Sequence, residues 1–287
     1  MSTQHTVGTL PVDGFDLSYR IEGTGRDALV IGSTVYYPRT FSQHLREHLR
    51  LVFMDHRGFG QPTAPYSNES FELERLVDDV EALRQAQRLD KIVVIGHSGH
   101  GYLALEYAKK YPQHVSHVVL IALSPDSTPE SFAAADQYLE DSVCPERKAR
   151  LARNMALLGA DIEADPNHRF IHYSLRSGAR IWYEPAFDAR PLWADVEPVP
   201  EMFDYVWGKL FPRLDITVGL DRLTMPVWLG LGRYDFWNPP HLWNPVRGQF
   251  RDLRLRVFEQ SGHTPQYEQP EAFDRELLAW LDEKRAE

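Results

Sequence analysis

The chain has 287 residues, 43% of them apolar, with a formal net charge of −10 from 31 basic and 41 acidic side chains and a single cysteine, Cys144. That length and apolar share can bury one large core with an insertion, but not two equal independent domains. The negative charge would repel a phosphate backbone, which excludes nucleic acid as an expected partner, and a lone cysteine excludes an internal disulfide or a multi-cysteine metal site.

Met1 to Gly8 is polar and lacks the basic-then-apolar pattern of a signal peptide. No apolar run approaches the roughly 20 residues that span a bilayer, so the expectation is a soluble cytoplasmic protein with no membrane partner. Thr6 to Leu10 and Phe15 to Ile21 flank Pro11-Val12-Asp13-Gly14, a hairpin signal. The apolar run Ala28 to Ile31 ends in Gly32-Ser33-Thr34. Phe41, Leu45 and Leu49 recur every four residues and predict one helix face. Leu51 to Met54 predicts the next buried strand, closed by Asp55-His56-Arg57-Gly58-Phe59-Gly60. From Ser70 the apolar positions Leu73, Leu76, Val77, Val80 and Leu83 fall at helical spacing.

Lys91 to Ile95 then reads as a buried strand and Tyr102 to Tyr111 as a helix stopped by Pro112. The six residues between, Gly96-His97-Ser98-Gly99-His100-Gly101, leave room only for a tight elbow with one serine at its apex. After another strand from Val115 to Leu123, the alternation argues an α/β fold with a mostly parallel, doubly wound sheet covered on both faces. From Ser127 to Leu223 helical stretches are interrupted by prolines, with no buried strand. The expected division is a core of residues 1–126 and 224–287 with an inserted helical cap over 127–223. Sheet rhythm returns at Val227 to Leu231 and Leu253 to Phe258, and Ala272 to Leu281 is the last helix.

A serine hydroxyl is a weak nucleophile that needs a base and a carboxylate to orient that base. The elbow around Ser98, His263 in Ser261-Gly262-His263-Thr264-Pro265, and Asp235 in Gly232-Arg233-Tyr234-Asp235 resemble the serine α/β-hydrolases, and within them the proline-iminopeptidase-like esterases and peptidases. The resemblance implies an α/β-hydrolase fold with Ser98 as nucleophile, Asp235 as acid and His263 as base, in the family's chain order. Asp126, in Ser124-Pro125-Asp126, is a rival acid, at a position from which some members supply it. The oxyanion donors implied are the backbone N–H groups of Gly99 and of Thr34, the latter because Gly32-Ser33-Thr34 stands where the family has His-Gly-x. Two departures stand out: His100 replaces the second glycine of Gly-x-Ser-x-Gly, as a structural residue or a pocket wall, and the iminopeptidases' His-Gly-Gly-Pro-Gly is absent. Asp55-His56-Arg57-Gly58-Phe59-Gly60 resembles the family's Asp-x-Arg-Gly-x-Gly corner, which is scaffold.

No cofactor and no metal are expected. His44 and His48 lie four apart but lack a His-Glu-x-x-His run and an evident third ligand. Tyr36, His100, Trp182, Trp207 and Trp237 are the candidate pocket residues. Glu184, Asp188, Asp195, Glu197, Glu201 and Asp204, against Arg190 alone, suggest attraction of a cationic amine. The expected activity is hydrolysis of a carboxylic ester or lactone with a bulky apolar or amine-bearing substrate; macrolide esterases resemble the family in general type. Amide cleavage is the nearest alternative, and a carbon–carbon bond hydrolase or an inactive ligand receptor are the alternatives of other classes.

Overall fold

Asp13 and Gly14 both take positive φ, 47° and 82°, as a two-residue type I′ turn requires. The flanking segments, β1 (Thr6–Val12) and β2 (Phe15–Glu22), therefore pair as an antiparallel hairpin. Pro11 lies inside β1, where it is tolerated because β1 is an edge strand. The computed structural model describes residues 5–284, so the first four residues of the polar N-terminal stretch lie outside it.

The sheet is completed by β3 (Arg26–Gly32), β4 (Leu49–Asp55), the two-residue β5 (Gln61–Pro62), β6 (Ile92–His97), β7 (Val115–Ile121), β8 (Val227–Gly232) and β9 (Leu253–Phe258). Its order is β1-β2-β4-β3-β6-β7-β8-β9, with β5 against β2, and every pairing from β4 to β9 is parallel. Because β4 lies on one side of β3 and β6 on the other, the winding reverses between β3 and β6. Loops leaving the carboxyl ends of those two strands diverge and open a crevice.

Successive strand side chains point to opposite faces, and both faces are apolar. Leu29, Ile31, Val94, Leu120 and Leu229 join one buried cluster with α2 (Leu73–Ala86) and α3 (His100–Lys110). Val30, Phe53, Ile95, Val119 and Trp228 join another with α1 (Leu45–His48) and the C-terminal helix Pro270–Glu283. The expected helix through Phe41, Leu45 and Leu49 is reduced to the single turn of α1. Leu49 instead opens β4, where it pairs with Arg26 in the parallel ladder.

Between β7 and β8 the described residues form no strand. They form α4 (Pro129–Glu140), α5 (Pro145–Met155), α6 (Leu158–Ala164), α7 (Arg169–Arg176), α8 (Gly178–Ile181), α9 (Arg190–Trp193) and α10 (Pro200–Tyr205). Four of these, α4, α5, α9 and α10, carry proline in their first turn, where its missing N–H costs nothing. Those prolines start helices rather than break them. Among the described residues no helix is long and apolar enough to cross a membrane.

The turn after β4 is tied down by Arg57, whose guanidinium makes paired bonds to Asp79 of α2 at 2.7 and 2.8 Å and donates to the Ser70 carbonyl at 2.9 Å. Burial pushes the Asp79 carboxyl up, opposed by Arg57. Removing one partner of such a buried pair strands the other. Arg57→Ala is expected to cost about 3–5 kcal/mol, read as a lower denaturation midpoint at unchanged slope.

Candidate active site

Ser98 holds a φ of 55°, a conformation that costs a non-glycine residue about 1–3 kcal/mol and persists only where its surroundings impose it. Its N–H reaches the Ile121 carbonyl of β7 at 2.8 Å, while its carbonyl accepts from Gly101 at 2.8 Å in the first turn of α3. Strand and helix approach so closely that a Cβ on Gly96 would lie 2.3 Å from the His100 carbonyl oxygen. The glycine this elbow cannot do without is thus Gly96, two residues before the serine, and position 100 can carry a side chain.

Ser98 faces a cavity of about 790 Å³ that is also lined by Gly99, His100, His263 and all the other expected pocket residues: Tyr36, Trp182, Trp207 and Trp237. Trp207 roofs the elbow, since a Cβ on Gly99 would come within 2.6 Å of its ring. Trp237 meets His263 edge to face at 5.3 Å.

His263 Nδ1 lies 2.7 Å from Asp235 Oδ2. The other oxygen of the fully buried Asp235 accepts the N–H groups of Trp237 and Asn238 at 2.9 and 3.0 Å. Asp126 is occupied elsewhere, accepting the N–H and hydroxyl of Thr128 at 3.0 and 2.7 Å ahead of α4. No hydrogen bond joins Ser98 to His263 among the described residues, and such contacts commonly tighten only in the complex with substrate.

The loop that carries His263 is held through its backbone. Its N–H donates to the Ile181 carbonyl at 2.6 Å, and its carbonyl lies 2.6 Å from His97 Nε2. Glu268 accepts the N–H groups of Gly262, Thr264 and Tyr183 at 2.9, 3.2 and 2.6 Å. Burial pushes the Glu268 carboxyl up to about 7 against those donors. Sequence reasoning missed Glu268, because its partners are backbone groups that leave no pattern of residue types.

One expected oxyanion donor is corrected. The Thr34 N–H and hydroxyl are both bonded to Asp55 Oδ1, at 2.6 and 3.0 Å, so Thr34 has no free donor. Burial pushes the Asp55 carboxyl up to about 7, opposed by Thr34 and Ser18. The neighbouring Ser33, unlike Thr34, lines the cavity, and its oxygen accepts the N–H groups of Val35 and Tyr36 at 3.2 and 3.1 Å.

The acidic residues expected to draw a cationic amine are mostly engaged locally. Asp188 pairs with Arg190, Asp195 with Arg39, Glu197 with His168 and Asp204 with Arg169. Of the six, only Asp204 lines the cavity. For a metal, the structure adds the third candidate ligand that the sequence reading lacked: Glu47 stands with His44 and His48 in an exposed group whose ligand atoms lie within 4.8 Å of one another. None of the three lines the cavity.

A family profile described as alpha/beta hydrolase fold matches residues 30–270. The chain is 40% identical over 272 residues to the AB hydrolase superfamily protein YclE of Bacillus subtilis (strain 168), covering 94% of this chain and 97% of that one. It is 26% identical over 287 residues to the proline iminopeptidase PfmaB of Pestalotiopsis fici, covering 94% and 98%. Among solved structures, a proline iminopeptidase of Mycobacterium smegmatis superposes with a TM-score of 0.73 at 16% identity, over 97% of this chain and 98% of that one, which is a likeness of fold.

Three further histidines are buried around the elbow. Burial, then the neighbouring imidazole, brings His97 and His100 down to about 3 and lowers His56 as well. The groups bonded to the His100 ring are Tyr37, His56 and the His97 carbonyl, with no carboxylate among them. A histidine held neutral in the fold but free to charge when unfolded stabilises fully above the unfolded pKa, and that stability is lost as pH falls through the window down to the folded value. His100→Gln is therefore expected to flatten the acid limb of unfolding free energy by about one proton, ~1.4 kcal/mol per pH unit between roughly pH 6 and 4. Denaturant titrations across that range measure it, and an unaltered slope would mean that His100 charges within the fold.

Proposed function

The chain belongs to the α/β-hydrolase family, and on that premise we propose that it is a cofactor-free serine hydrolase that cleaves a carboxylic ester or a lactone through an acyl-enzyme. The observation that carries this reading is the 2.7 Å contact between the buried Asp235 and His263, which lines the cavity that the strained Ser98 also faces.

In this reading Ser98 Oγ attacks the substrate carbonyl while His263 Nε2 takes its proton. Asp235 holds the proton on Nδ1 and stabilises the imidazolium. The oxyanion is received by the Gly99 N–H at the start of α3, with the Ser33 hydroxyl as second donor in place of Thr34. His263 then returns its proton to the departing alkoxide, which leaves as an alcohol or, in a lactone, stays tethered to the acyl group. Water, deprotonated by His263, releases the acid and restores Ser98. Residues 127–223 act as a cap that supplies Phe170, Trp182, Phe203 and Trp207 to the cavity wall.

A cavity of about 790 Å³ with mostly aromatic and aliphatic walls suits a drug-sized apolar substrate, of which a macrolide lactone is a large example. The charged wall residues Asp136 and Arg180 pair at 2.7 Å, and Asp204 is bonded to Arg169, so a cationic amine gains no unpaired carboxylate there. The same point disfavours the second reading, an iminopeptidase-like amidase suggested by the name of one relative, since an N-terminal ammonium would need such a carboxylate. The missing His-Gly-Gly-Pro-Gly run agrees.

Fluorophosphonate labelling at Ser98 tests the nucleophile, and an unlabelled protein would favour a ligand receptor. Once a substrate is in hand, Ser98→Ala is expected to lower kcat about a million-fold and Asp235→Asn about ten-thousand-fold, with Asp126→Asn near wild type. Aryl and long-chain esters should exceed a short acetate ester in kcat/KM, with Trp207→Ala reducing the first class more. Best activity on the acetate, unchanged in Trp207→Ala, would reject the bulky-substrate proposal.

A further inference from the structure

We infer that Tyr37 and His97 position the proposed base: a one-way chain of hydrogen bonds runs from the Gly58 N–H through His56, His100, Tyr37 and His97 to the His263 carbonyl and fixes the base loop against the elbow. The inference rests on the reading of His263 as the base.

The distances define the chain. Gly58 N–H donates to His56 Nδ1 at 2.8 Å, and His56 Nε2 lies 2.7 Å from His100 Nε2. His100 Nδ1 is 2.8 Å from the Tyr37 hydroxyl and 3.1 Å from the His97 carbonyl. The same hydroxyl lies 3.1 Å from His97 Nδ1, and His97 Nε2 lies 2.6 Å from the His263 carbonyl.

The direction is forced at both ends, because a backbone N–H can only donate and a carbonyl can only accept. A neutral imidazole has one donor and one acceptor, and a phenol can do both. Only one set of protons satisfies every link: hydrogen on Nε2 of His56, on Nδ1 of His100, on Nε2 of His97, and the Tyr37 proton toward His97. A charged imidazole at His56 or at His100 would set donor against donor. All four side chains are buried, so a broken link leaves a polar group unpaired at about 1–3 kcal/mol.

Two positions that differ from the family pattern bear on this chain. His100 is one of its four side chains. Gly32, standing where the family has histidine, has a φ of 147°, and a Cβ there would come within 2.1 Å of the Tyr37 ring. The bare backbone at position 32 is what lets Tyr37 lie between the two histidines. The chain thereby joins the loops after β3, β4, β6 and β9, and its last bond is made to the residue whose imidazole must meet Ser98.

The test uses the rate of Ser98 labelling by a fluorophosphonate, which reports activation by the base without knowledge of the substrate. Tyr37→Phe removes one oxygen and is expected to slow labelling by about 10- to 100-fold, since a displacement near 1 Å costs about that much, while near-ultraviolet circular dichroism stays native. His97→Gln keeps an N–H within reach of the His263 carbonyl and is expected to label within about tenfold of wild type, whereas His97→Leu, similar in bulk but with no donor, falls further. Folded Tyr37→Phe and His97→Leu proteins that label at the wild-type rate would overturn the positioning role alone. So would His97→Gln and His97→Leu variants of equal rate. A wild-type protein that does not label at Ser98 would overturn the hydrolase reading and this inference with it.

Discussion

The side chains proposed to act stand on loops at the carboxyl edge of the sheet, and a loop cannot be fixed by apolar packing alone because its buried peptide groups need partners. Here buried side chains supply them. Asp235 takes two N–H groups of its own loop, Glu268 takes three around His263, and Asp55 takes the Thr34 N–H in the turn after β3. Arg147 of α5 does the same for carbonyls, donating to those of Ala179, Trp182 and Tyr183 at 2.6, 2.7 and 2.6 Å. The Tyr183 residue is thus gripped at both its N–H, by Glu268, and its carbonyl, by Arg147.

The same economy ties the helical segment between β7 and β8 to the core. Ile181 accepts from the His263 N–H, Val199 donates to the Gly58 carbonyl at 2.7 Å, and Trp207 lies on Gly99. Each contact reaches a residue of the candidate site or of the polar chain beside it. Displacing this segment as a unit would also disturb the base loop and the elbow.

Features written as periodicity or turn chemistry were legible in the sequence. Asp13-Gly14 marked the hairpin, apolar runs marked the strands, and glycine-flanked Ser98 and His263 marked the ends of β6 and β9. What escaped is decided by contacts between distant residues. Phe41, Leu45 and Leu49 keep helical spacing, yet the ladder with β3 claims Leu49. Thr34 occupies the expected place in the chain, but a carboxylate 21 residues on takes its N–H. The prolines at 129, 145, 191 and 200 looked like interruptions and are helix starts. The acidic run from Glu184 to Asp204 looked like a field, but arginines and a histidine from other segments share in pairing it. Glu268 and Arg147 left no signal, since backbone partners carry no residue code.

The contact between Tyr37 and Gly32, together with the bond from Tyr37 to His100, makes three positions interdependent as substitutions accumulate. A histidine at position 32 would collide with the Tyr37 ring, and a glycine at position 100 would leave both Tyr37 and His56 short of a partner. Each single step toward the family's usual residues passes through an intermediate burdened by a steric clash or by unpaired buried groups at about 1–3 kcal/mol each. Substitutions at positions 32, 37 and 100 are therefore non-additive: what a change at one of them costs depends on the residues at the other two.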